Sequence, residues 1–119
     1  MPRRKAYSNF YVAFQWNFAV DGGALGSYDT RVNIPAGSQV LIVMRQNIIA
    51  PVAGAGGFLG YGTLAVPGLL GSDPQIFYAA NNFSAGAATW PGGNFFLTIG
   101  VAPLTAGQFN IGVQYFQFH

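Results

Sequence analysis

Phe10, Val12, Phe14, Trp16, Phe18 and Val20 are apolar, while Tyr11, Ala13, Gln15, Asn17 and Ala19 between them are polar, small or amphipathic. This period of two predicts a half-buried β-strand. Asp21-Gly22-Gly23 follows as a turn signal. Tyr28, Thr30, Val32 and Ile34 then alternate with Ser27, Asp29, Arg31 and Asn33, predicting a second strand with one wholly polar face toward water. Pro35-Ala36-Gly37 reads as a tight turn, because proline suits its first corner and glycine permits positive φ. In Ser38–Ile49 the run Val40-Leu41-Ile42-Val43-Met44 is apolar on both faces, the pattern of a central strand covered on both sides. Ala50–Gly57 is rich in Gly and Ala and predicts a loop. Phe58–Val66 reads as a strand in which Gly60 and Gly62 leave one face bare for backbone or another subunit to approach.

Pro67–Pro74 reads as a second loop, Gln75–Ala80 as a short strand, and Asn81–Gly93 as a third loop closing with Trp90-Pro91-Gly92-Gly93. Asn94–Val101 predicts a strand with Phe95, Leu97, Ile99 and Val101 on one face. Ala102–Gly107 turns the chain, and Gln108–Phe118 ends it with Phe109, Ile111, Val113 and Tyr115 facing one way. The expected fold is all-β: a jelly-roll-like antiparallel sandwich or barrel of about seven strands with no substantial helix. Residues 1–9 are expected to form a basic arm and residues 10–119 a single domain.

Composition narrows the chemistry. Charged residues are 7% of the 119, against about 25% in an ordinary soluble domain. Arg3, Arg4 and Lys5 hold three of the five bases, and the rest of the chain sets two Arg against three Asp. The basic character is therefore a tail, able to contact phosphate or an acidic protein surface. With one His, at position 119, and no Cys, a one-chain zinc site or a His-based catalytic site has no materials. Asp21 and Asp29 read as a turn and a solvent-face residue, not as a calcium or glycosidase pair. The run Gly54–Gly60 lacks the Lys-Ser/Thr of a phosphate loop and the spacing of a dinucleotide fingerprint. No enzyme activity and no cofactor are expected. Gln46–Ser72 carries no charge, but Pro51, Pro67 and many Gly make it a poor spanning helix, so no membrane partner is expected. Two small sheets cannot cover so many apolar and uncharged faces, which points to an obligate oligomer or a subunit docked on a larger assembly.

The motifs also carry a resemblance. Asp21-Gly22-Gly23-Ala24 with Thr30–Gly37 (TRVNIPAG), the Gly-rich lead into Phe58-Leu59-Gly60-Tyr61-Gly62, and the ending Phe96–Tyr115 (FLTIGVAPLTAGQFNIGVQY) resemble small virion proteins of tailed and related bacteriophages. The likeness covers residues 21–118 and rests on turn and strand signatures. It implies a β-sandwich virion component, such as a capsid decoration or stabilising protein or a minor capsid protein, with no catalytic residues. Its expected partners are further copies of itself, as a trimer, and other virion proteins such as the major capsid protein. Nucleic acid is expected to be touched only through the arm. The expected location is the capsid or head surface, after synthesis in the host cytoplasm. In this reading Arg3, Arg4, Lys5, Tyr7 and Phe10 grip a neighbour. The alternative is a receptor- or glycan-binding sandwich with Trp90 as its loop contact. A membrane-active β-protein built on Gln46–Ser72 is a further class.

Overall fold

A computed structural model describes residues 7–73 and 80–118. They form eight strands and one helical turn: β1 (Tyr7–Asn17), α1 (Phe18–Asp21), β2 (Gly26–Asn33), β3 (Gln39–Ala53), β4 (Phe58–Gly62), β5 (Gly71–Asp73), β6 (Ala80–Thr89), β7 (Asn94–Gly100) and β8 (Leu104–Phe118). The first sheet has the order β1-β8-β3-β6 and the second β2-β7-β4-β5. β1 pairs with β8, β2 with β7, β3 with β6 and β4 with β5, all antiparallel. The chain is thus one long hairpin with the β4–β5 connection at its tip, wound so that successive strand pairs fall in alternate sheets. The β3–β8 and β4–β7 ladders close the two sheets. This is an eight-stranded jelly roll.

The core lies between the sheets. Alternation places Phe95, Leu97 and Ile99 of β7 against Phe109, Ile111, Val113 and Tyr115 of β8, all buried. Trp16, Val40, Val43, Leu59, Tyr61 and Trp90 complete the cluster. On β2, Asp29, Arg31 and Asn33 are exposed, as the polar alternation requires.

Several elements depart from the sequence expectation. β1 begins at Tyr7, so Tyr7–Asn9 pair with Phe116–Phe118 as part of the sheet instead of joining an arm. It ends at Asn17 rather than Val20, because Asn17 caps a helical turn. Its side chain accepts the Ala19 N–H at 3.1 Å, and Asp21 Oδ2 accepts the Asn17 N–H at 2.8 Å. Val101 does not continue β7; it sits in the following turn at φ 67°, two-thirds exposed. β3 runs on through the expected loop to Ala53, against a β8 that starts early at Leu104. Register shifts around Pro51 accommodate the missing N–H. Gly107, at φ 142°, passes so close that a Cβ there would lie 2.9 Å from Pro51 Cα.

β5 occupies part of the expected loop Pro67–Pro74, and β6 takes most of the expected loop Asn81–Gly93. The expected strand Gln75–Ala80 lies outside the described residues, apart from Ala80, which opens β6. The outer face of β3 is not covered by the described residues: Leu41 and Ile42 are half-buried and Met44 is exposed. The bare face at Gly60 and Gly62 is filled by the chain itself. A Cβ on Gly62 would lie 2.3 Å from the Val66 carbonyl oxygen, and one on Gly60 would lie 3.2 Å from that of Pro67.

Candidate interaction surfaces

The jelly roll sorts its connections to two ends. The β2–β3, β4–β5 and β6–β7 connections share one end, and the β1–β2, β3–β4 and β7–β8 connections share the other. At the first end Gly37 N donates to the Trp90 carbonyl and Trp90 N to that of Ser38, each at 2.8 Å. This clamps Pro35-Ala36-Gly37 onto the β6–β7 connection. Trp90 lies inside this clamp, fully buried and stacked on Phe95 at 6.1 Å, with Nε1 donating to the Gly93 carbonyl at 3.1 Å. It plugs the core, and its ring is not available to a loop ligand. At the other end Val20, Leu25, Ile48, Ile49, Val52 and Val101 are exposed large apolar side chains.

The outer face of the first sheet carries no ionisable carboxylate, ammonium or guanidinium. Among its four strands the one such side chain is Arg45, which points into the core. Amides run across this face. Gln108 Nε2 donates to Gln15 Oε1, Gln15 Nε2 to Asn110 Oδ1, and Gln114 Nε2 to Asn9 Oδ1, each at 3.2 Å. Between them Ala13, Gly112 and Met44 sit opposite one another in register and floor a shallow depression. Phe10 is 37% exposed and stacks on Tyr115 at 5.4 Å. Tyr7 opens β1 opposite Phe118. Arg3, Arg4, Lys5 and His119 lie outside the described residues.

Charge is engaged elsewhere. Arg45 Nε donates to Asp73 Oδ2 at 2.7 Å, and the Tyr61 hydroxyl donates to the same oxygen at 2.9 Å. All three side chains are buried, and Arg45 also donates through Nη1 to Asn47. Burial, and then the adjacent Asp73 charge, hold the Tyr61 hydroxyl well above the usual phenol range. The cluster ties β3 of one sheet to β4 and β5 of the other. Its chemistry is structural, because no member faces solvent. Asp29 Oδ1 accepts the Arg31 N–H at 2.7 Å, and its carboxylate accepts from Asn94. These bonds, the backbone one first, hold the Asp29 carboxyl below its ordinary value. Asp21 is used in the α1 cap. Among the described residues there is no group of three or more metal-ligating side chains, and no helix is long and apolar enough to cross a membrane.

Alternation alone does not reveal the Arg45–Asp73 pair, although the sequence carries a signal for it. These residues bound the uncharged stretch Gln46–Ser72. A lone charge at an inward position of an apolar strand requires a buried partner.

No family model matches this sequence, and no curated protein is detectably similar to it. Solved structures do match the fold. A chain in the acidic stable capsid structure of Helicobacter pylori bacteriophage KHP30 superposes with a TM-score of 0.65 at 15% identity, over 96% of this chain and 92% of that one. A chain in the capsid asymmetric unit of cyanophage Pam1 gives 0.63 at 14% identity, over 98% and 90%. This chain therefore shares its fold, nearly end to end, with chains of two phage capsid structures.

Proposed function

We propose that this chain is a structural subunit of a bacteriophage particle, a capsid decoration or stabilising protein or a minor capsid protein. It acts by self-association and by docking on other virion proteins such as the major capsid protein, and it catalyses nothing. The supporting observation is the likeness to chains of the KHP30 and Pam1 capsid structures, which covers 96% and 98% of this chain and 92% and 90% of those. The uncharged outer face of the first sheet and the exposed apolar side chains at the loop ends agree with a subunit buried by neighbours. The basic residues Arg3, Arg4 and Lys5 supply a further contact, to an acidic protein surface or to nucleic acid. With Trp90 in the core, no observation favours the glycan-binding reading.

Particles made without this chain test the stabilising role. They are expected to release their genome at lower temperature than complete particles, and added purified chain should restore the higher release temperature. An unchanged release temperature would remove that role. Deleting residues 2–6, which leaves β1 whole, should lower occupancy on the particle without changing the fold of the body. Full occupancy would remove the arm from the docking contact.

A further inference from the structure

We propose that β1, the terminal strand of the first sheet among the described residues, pairs along its outer edge with β1 of a second copy of this chain, antiparallel and centred on Val12, so that two first sheets become one. The four sheet edges differ in how they resist such pairing. β2 is interrupted by a register shift at Asp29–Asn33, with Arg31 at φ 60° and two exposed charges. β5 is only three residues long. β6 follows β3 with a register shift. β1 has none of these devices. It runs eleven residues without charge, Pro or Gly, and pairs with β8 without a shift from Tyr7 to Asn17. Natural sheets blunt their edges with short strands, charge, proline or bulges. An edge left regular and uncharged is a template for another strand.

The side chains give an independent sign. Val12 and Phe14 on the inward face of β1 are only half-buried and Phe10 is exposed, whereas Phe109, Ile111 and Val113 on β8 beside it are fully buried. Apolar surface of Phe10, Val12 and Phe14 is therefore left partly uncovered along the β1 edge by the described residues.

The sequence of β1 selects the occupant. About a two-fold axis through Val12, the whole strand pairs with its own copy. Phe10 meets Phe14 and Val12 meets Val12 on the inner face, while Asn9 meets Gln15 and Tyr11 meets Ala13 on the outer face. Aromatic meets aromatic, amide meets amide, and no like charges oppose. Such a contact is self-complementary and closed. It gives a dimer in place of the trimer expected from the sequence. The inference names the surface for the self-association in the proposed function, and rests on that part alone. A chain present on particles but monomeric in solution would fail here and stand there.

The chain has no cysteine, so one introduced thiol is unique. Directly opposed antiparallel residues have Cα atoms about 4.5–5.5 Å apart, within disulfide reach. Light scattering on the purified full-length chain should give the dimer mass. Mild oxidation should link most of a Val12→Cys variant, whereas Leu25→Cys, exposed in the β1–β2 connection, should stay unlinked. Ala13→Lys, on the exposed outer face, should weaken dimerisation roughly tenfold or more with an unchanged near-ultraviolet spectrum. A monomer or trimer mass for the parent chain, or equal linking of the two cysteine variants, would overturn the proposal.

Discussion

Arg45, Tyr61 and Asp73 show how few charges this chain spends and where. Two of its eight charged side chains face each other inside the sandwich, bridging strands from different sheets. Removing one partner leaves the other charge buried, so Asp73→Ala should cost about 3–5 kcal/mol in chemical denaturation. The double replacement Arg45→Met with Asp73→Leu should cost less than either single change. Strictly additive losses would mean that the two side chains do not interact. Tyr61 adds a pH dependence. Its hydroxyl titrates higher in the folded than in the unfolded chain, so its contribution is complete below the unfolded tyrosine value and is lost as pH rises through the folded one. Stability measured from about pH 9 to about pH 11 should therefore fall, and Tyr61→Phe should flatten that fall. An unchanged slope would place the alkaline loss elsewhere. Gly62 is a second sensitive point: Gly62→Ala drives a methyl into the Val66 carbonyl and should destabilise by about 1–3 kcal/mol.

At the scale of elements, the turns hold the clearest tests. Val101 is β-branched, exposed and at φ 67°, so Val101→Gly should raise the thermal midpoint, the relief being about 1 kcal/mol. A lowered midpoint would show that Val101 packs usefully in that turn. Asn17→Ala removes the cap that stops β1 and should cost about 1 kcal/mol. The strands legible in the sequence are those whose own alternation sets the buried face: β1, β2, β7 and β8. β6 was not legible, because Ala80–Thr89 is small and polar with no apolar period and is a strand through its pairing with β3. β5 is too short to show a period. The long end of β3 was hidden by Pro51, whose meaning depends on the register shifts in its partner strand. Trp90 was ambiguous for a related reason. A tryptophan beside Pro91 can be read as a loop contact or as a plug until the Pro35–Gly37 turn is seen to close over it.

At the scale of the molecule, the nested pairing of β1 with β8 through β4 with β5 yields a jelly roll whose connections, edges and faces are all set by one winding. The fold class was legible because period two recurs between turn signals along most of the chain. The strand order was not, because alternation gives faces and not neighbours. The surface that results is poor in charge on the first sheet and carries exposed apolar side chains at its loop ends, which suits a subunit held among others more than a free monomer. The direct check is the quantitative protein composition of purified phage particles from the source of this chain. A structural subunit should be present in fixed proportion to the major capsid protein, and on the order of hundreds of copies would mark a lattice-wide decoration protein. Complete absence from the particles would rule out the virion role.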